Sequence, residues 1–387
     1  MSLDGMTRFD RHACSIDDFR HLIENAPVVA PGATSIELGV PVYAAEEVRA
    51  RVRRDGNDRG IRDDLASVLH DGAGIFVLSG ALEHDIVDRA SEVFFAMIAQ
   101  QHAEGRQVGD HYAKPGANDR VWNAIEKLAS LAPEVFVDYY MNDCIAIGAK
   151  AWLGPSYQIS SQINVVNPGG AAQSPHRDYH LGFMTDDEAE DFPRHAHLLS
   201  PMLTLQGAVA HCDMPVETGP TMYLPHSQKY PLGYLAWRRP EFIEYFGAHK
   251  TQLPLRKGDV VFFNPALFHA AGSNITSDVK RMANLLQISS CMGRAMETMD
   301  RIDMSKAVYA TLSDRVAAGL DGNALFCVAT AVADGYAFPT NLDNDPPLGG
   351  LTPPSHLDIL LESLREGVAQ DEYERRVDAL VGRRQSH

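Results

Sequence analysis

The chain has 387 residues, 45% apolar and 22% charged, an ordinary globular composition that excludes disordered, collagenous and coiled-coil proteins. Lys and Arg number 34 against 51 Asp and Glu, a net charge of −17 that repels polyphosphate and argues against a nucleic-acid partner. Five scattered cysteines without a Cys-x-x-Cys pair give neither a disulfide framework nor a zinc knuckle, and point to a reducing, cytoplasmic setting.

In chain order, residues 1–30 carry scattered charges and no apolar h-region, so export by a signal peptide is not expected. Residues 1–60 read as a peripheral polar segment. Arg51, Arg53 and Arg54 form a solvated helix face there, or alternatively a lure for an anionic substrate. A helix-like run from Leu65, a Gly72-x-Gly74 turn and the β-type run Ile75 to Leu78 follow. His84 to Gln101 sets apolar residues at spacings of three and four, as an amphipathic helix does. Trp122 and Asn123, in the segment Lys114 to Asn123, read as packing or as a substrate wall. From Tyr157 to Ser290, short apolar or alternating runs are separated by Gly, Pro, Asn and Asp, the pattern of a sandwich or barrel. Helical patches return at Lys306 to Leu320 and Leu357 to Val381. The apolar run Ala324 to Ala333 is too short to cross a membrane. The Pro/Gly-rich stretch between, within 336–354, is expected to fold as a lid over the barrel mouth.

The chemistry concentrates in Gln173-Ser-Pro-His176-Arg-Asp178-Tyr-His180. Residues two apart on an extended strand share a face, so His176 and Asp178 converge on one point. An isolated His-x-Asp is usually a structural hydrogen-bonded pair. With a second histidine it becomes the two-imidazole, one-carboxylate set of non-haem Fe(II) oxygenases. His269, after the buried-type strand Asp259 to Phe263, fits that role. Arg281 follows after a turn-rich loop, and its planar fork suits the far carboxylate of a keto-diacid. His180, His195, His197, His211 and His226 are alternative ligands, more in keeping with solvated or core positions; His180 is expected on the same strand face as His176.

These residues, together with Glu217-Thr-Gly219-Pro-Thr-Met-Tyr-Leu-Pro225-His-Ser227, Lys257-Gly258-Asp259-Val-Val-Phe-Phe and Asp71-Gly72-Ala-Gly74-Ile-Phe-Val-Leu, resemble the phytanoyl-CoA dioxygenase family of Fe(II)/2-oxoglutarate-dependent oxygenases over roughly residues 62–291. The resemblance implies a mainly β fold with flanking helices around a double-stranded β-helix (jelly-roll, cupin-like) core. It implies His176, Asp178 and His269 as catalytic iron ligands, and Arg281, Gln173 and Thr221 as contacts to 2-oxoglutarate. Fe(II), 2-oxoglutarate and dioxygen are then the cofactors, a small organic molecule the substrate, hydroxylation the default outcome, and succinate and carbon dioxide the by-products. Asp178 weighs against halogenation, since halogenating relatives carry a small residue there. The usual Pro-Gly-Ser-His element reads Pro225-His226-Ser227-Gln228, and Ala271 replaces a small hydroxyl residue. One oxygenase domain is expected over 1–387, with the core at 61–295 and a helical extension at 296–387. Two further readings are a non-redox metal-dependent cupin-like isomerase or hydrolase, in which Arg281 has no duty, and a non-catalytic ligand-binding barrel. No membrane association is expected.

Overall fold

The computed structural model describes residues 7–105 and 116–386; the readings placed on residues 1–6, 114 and 115 lie outside them. Eleven strands are described: β1 (Ser35–Glu37), β2 (Val40–Ala44), β3 (Ile75–Ser79), β4 (Asn118–Val121), β5 (Gln158–Val166), β6 (Thr204–Ala210), β7 (Met222–Tyr223), β8 (Thr251–Gln252), β9 (Val260–Phe263), β10 (His269–Ala270) and β11 (Arg281–Ser289). They form a mixed eight-stranded sheet in the order β1-β2-β3-β9-β6-β11-β5-β4 and a small sheet β10-β7-β8. Every pairing is antiparallel except β2 with β3. A bridge between His176 and His269 adds one more rung to the small sheet.

From β5 onward the chain passes back and forth between the sheets. β5, β6, β9 and β11 lie in the large one; His176, β7, β8 and β10 lie in the small one. Side chains on the inner face of each sheet therefore point into the space between them.

The expectation of a mainly β chain is corrected: 47% of the described residues are helical and 15% are strand. Helices cover the outer face of the large sheet because its strands are buried on both faces. β5 is buried along its length beyond Gln158, and β6 throughout. The helix His84–Ala103 lays Val87, Ala90, Phe94, Met97 and Ile98 against this layer, as its apolar spacing predicts. Three further helices, Ala124–Leu131, Pro133–Tyr140 and Asp143–Leu153, complete it. Between helices and sheet runs a buried polar chain. Ser91 Oγ meets His211 Nδ1 at 2.9 Å, His211 Nε2 meets the Tyr139 hydroxyl at 2.9 Å, and Asn284 donates to that hydroxyl at 3.2 Å. Burial pushes the His211 imidazole down to about 3, so it sits there neutral and fully engaged.

The N-terminal part adds β1 and β2 to the edge of the large sheet. Towards the C-terminus, the helices Arg301–Ala317, Gly322–Val332, His356–Glu366 and Gln370–Arg384 stack on the 124–140 helices and on one another. The stretch 336–354 is not a lid. Asn341 donates to the Gln385 carbonyl at 2.7 Å and Asp345 pairs with Arg383 at 3.0 Å, which ties it to the last helix, and none of it lines the cavity between the sheets. Among the described residues no helix is long and apolar enough to cross a membrane.

Candidate metal centre and cosubstrate cavity

The His176–His269 bridge is a pair of backbone hydrogen bonds, His176 N–H to His269 O at 2.9 Å and the reverse at 3.2 Å, and it sets the two imidazoles 4.5 Å apart, centre to centre. Each ring uses Nδ1 against a carbonyl two residues back: Ser174 O at 3.0 Å for His176, Leu267 O at 2.9 Å for His269. With Nδ1–H donated there, a neutral ring presents the Nε2 lone pair to the cavity. Both Nε2 atoms face Asp178, at 3.7 Å from His176 and 3.4 Å from His269. The donor atoms of the three residues all lie within 4.8 Å of one another. Two lone pairs and a carboxylate converging on one point repel unless a cation stands between them, so this donor set fits a divalent metal. Burial alone would raise the Asp178 carboxyl. When no metal takes the Nε2 lone pairs and the rings carry a proton there instead, the hydrogen bond from His269, the charges of the two imidazolium rings and Gln206 Nε2, which donates to Oδ2 at 2.6 Å, hold it well below the usual carboxylate range.

The means by which His176 and Asp178 meet differs from the expected strand. Only His176 makes a bridge, and the chain then turns through Tyr179 and His180, both at positive φ. The intervening Arg177 pins the pair from the opposite side. It is 2% exposed, donates Nη2 to Ser227 O at 2.7 Å and Tyr230 O at 3.1 Å, and lies against the Tyr234 and Phe268 rings. Gly233 leaves room for it; a Cβ there would stand 1.9 Å from the guanidinium carbon. The same turn carries His180 away from the centre, where its Nδ1 meets Ser200 Oγ at 3.0 Å.

Arg281 opens β11 opposite Val166 and is 3% exposed. Its Nη1 donates to the Gly219 carbonyl, and its Nε has no partner among the described residues. Burial pushes the guanidinium down to about 10. Gly219 is left-handed (φ 73°) and packs so closely on Gly272 and Ser273 that a Cβ would come within 2.5 Å of their backbone. Gly219→Ala is therefore expected to destabilise the protein by about 2–4 kcal/mol in chemical denaturation, from backbone strain plus overpacking. Gln173 is held beside the distal histidine by two bonds to Ala271, its N–H to the carbonyl at 2.9 Å and its Oε1 from the amide at 3.3 Å. Thr221 directly precedes β7, whose Tyr223 lines the same cavity.

One cavity of about 410 Å³ is lined by His176, Asp178, His269, Arg281, Gln173 and Thr221 together. The other singled-out histidines are elsewhere. His195 is exposed, His197 Nε2 bonds Ala189 O at 2.9 Å, and His226 Nδ1 accepts from Lys229 at 3.1 Å. Arg51, Arg53 and Arg54 pair with Asp64, Glu46 and Asp55, so they form a solvated, self-compensated face. Trp122 does line the cavity, whereas Asn123 turns its N–H to Glu297 at 2.9 Å. Sequence reasoning missed Gln206, Gln162, Asn164, Gln287, Arg120 and Glu297 on the wall. The available signal was Gln162-x-Asn164, polar side chains two apart facing inward on an otherwise apolar strand.

A sheet-and-helix frame holding two imidazoles and one carboxylate in the same cavity as a buried arginine defines the class of 2-oxoglutarate-dependent non-haem iron dioxygenases, which work with Fe(II), 2-oxoglutarate and dioxygen. A family model described as phytanoyl-CoA dioxygenase (PhyH) matches residues 71–283, more than half of the chain, and the chain belongs to that family. Among solved structures it is similar to the non-heme alpha ketoglutarate dependent epimerase SnoN from nogalamycin biosynthesis (20% identity over 64% of this chain and 80% of that one, TM-score 0.40). It is also similar to AviO1 from Streptomyces viridochromogenes Tue57 (18%, 60% and 96%, 0.43). A third is HygX from Streptomyces hygroscopicus with nickel, 2-oxoglutarate and hygromycin B bound (13%, 58% and 86%, 0.41). No curated protein matches the chain.

Proposed function

We propose that His176, Asp178 and His269 ligate Fe(II), that Arg281 grips the distal carboxylate of 2-oxoglutarate with Gln173 and Thr221 beside it, and that the enzyme hydroxylates a small organic molecule with release of succinate and carbon dioxide. The observation that carries this reading is the convergence of three metal donors within 4.8 Å in a cavity that also holds the buried Arg281, which has no carboxylate partner among the described residues. The alternation of the chain between two facing sheets supports a double-stranded β-helix core within one oxygenase domain.

When bound, the iron couples dioxygen reduction to oxidative decarboxylation of the 2-oxo acid and oxidation of a substrate C–H bond. The chain's own groups supply the rest. The Ser174 and Leu267 carbonyls fix both rings with Nε2 inward, and Gln206 holds one Asp178 oxygen so that the carboxylate cannot rotate away. Arg281 offers a charge already stripped of water, so binding a carboxylate relieves a desolvation cost. Phe263 and Tyr223 wall the cavity and exclude solvent. Incubation with 2-oxoglutarate and substrate should give succinate only when Fe(II) is present, and anaerobic titration should develop a visible charge-transfer band. Metal-dependent turnover without succinate would instead indicate a non-redox isomerase or hydrolase.

A further inference from the structure

We infer that the substrate of this site, on the oxygenase reading above, is a hydroxyl-rich ring compound, neutral or cationic, and not an acyl chain or acyl thioester. The inner face of the large sheet is lined with carboxamides at this place: Gln287 lies directly opposite Gln206, Gln162 opposite Leu285, and Asn164 opposite both Ala283 and Arg120. Two of these are already engaged. Gln206 donates to Asp178, and Gln162 accepts from Arg120 at 2.7 Å. Gln287 and Asn164 are 7% and 6% exposed and line the cavity, yet Gln287 Oε1 and Asn164 Oδ1 accept no hydrogen bond from the described residues.

At the same wall, Glu297 takes the Asn123 N–H on one oxygen and leaves Oε2 unpaired. Buried polar atoms are rarely left without partners; Gln287 Oε1, Asn164 Oδ1 and Glu297 Oε2 all call for donors, while a donor left over in the cavity, Arg281 Nε, belongs to the cosubstrate end. An alkyl chain supplies none, and the thioester group and an ionised phosphate themselves supply acceptors only. A hydroxyl donates and accepts at once, so it satisfies either end of a carboxamide; the Glu297 carboxylate takes a hydroxyl or an ammonium and rejects an anion. Trp122, on the same rim and stacked with Arg120 at 4.8 Å, offers indole surface to the apolar C–H face of a ring. A site built to hydrogen-bond hydroxyls rejects analogues that lack them by roughly 10⁴-fold.

The test is anaerobic calorimetric titration of the Fe(II)- and 2-oxoglutarate-loaded protein with cyclitols, aminocyclitols and methyl glycosides, against fatty acids and acyl-CoA thioesters. The tightest ligand is expected among the hydroxylated compounds, with Gln287→Leu weakening it at least tenfold and Gln287→Asn recovering part of the loss. A fatty acid or thioester binding more tightly than every hydroxylated compound overturns the inference, as does failure of all hydroxylated compounds at millimolar concentration. Failure of 2-oxoglutarate itself to bind strikes the oxygenase reading instead, and hydroxylated-ligand binding to the metal-free protein would survive it.

Discussion

Asp178→Ala should reduce Fe(II)-dependent succinate formation to background, a loss of roughly three orders of magnitude or more, because stabilisation by a bound metal ion is worth several kcal/mol. The substitution removes the only carboxylate among the three converging donors and frees Gln206, whose Nε2 has no other partner among the described residues. His176 and His269 remain side by side through their backbone bridge, so the fold should persist. Circular dichroism unchanged, with metal uptake by equilibrium dialysis lost, is the expected pair of results. Full turnover in this variant would mean that the metal sits elsewhere or is not used.

Arg281→Leu is expected to weaken 2-oxoglutarate by about 10²–10³-fold, the cost of losing one partner of a buried, bidentate charge pair. The arginine is buried, its charge disfavoured by that burial, and the Gly219 carbonyl is the one partner of its Nη1 among the described residues. Removing such a charge and filling the space with an apolar side chain is often neutral or stabilising for the protein alone. The variant should therefore melt at or above the temperature of the parent without ligand. The parent should gain thermal stability on adding 2-oxoglutarate with metal, and the variant should not. Arg281→Lys should recover only a part, since an ammonium lacks the planar fork. Equal stabilisation of parent and leucine variant by 2-oxoglutarate would remove Arg281 from the cosubstrate site.

The centre was largely legible because its signals are local. His-x-Asp, the Gly219-Pro220 turn and the run into His269 are short patterns whose chemistry does not depend on distant packing, and His176, Asp178, His269 and Arg281 line one cavity. The route by which they meet was not legible. Nothing in the letters Tyr179-His180 announces two consecutive left-handed residues, and Arg177 acts through contacts with Ser227, Tyr230, Tyr234 and Phe268, all far along the chain. The helical content was underestimated for a related reason. Asp143–Leu153 is buried on nearly all sides, so it lacks the alternation of faces by which an amphipathic helix is recognised. For 336–354, composition excluded a helix correctly but said nothing of where the segment docks; Asn341 and Asp345 bind it to the last helix.

Where the residues of the cavity originate has an evolutionary consequence. The donors and Arg281 come from the stretch 173–281, whereas Arg120 and Trp122 enter from β4 and Met296 and Glu297 from the strand-to-helix passage after β11. On the proposed reading, changes in these flanking pieces and in the carboxamides of β5 and the body of β11 rewrite what the enzyme accepts while the proposed metal donors and Arg281 stay untouched, and a lineage built on this scaffold is free to diversify in substrate while its reaction stays the same.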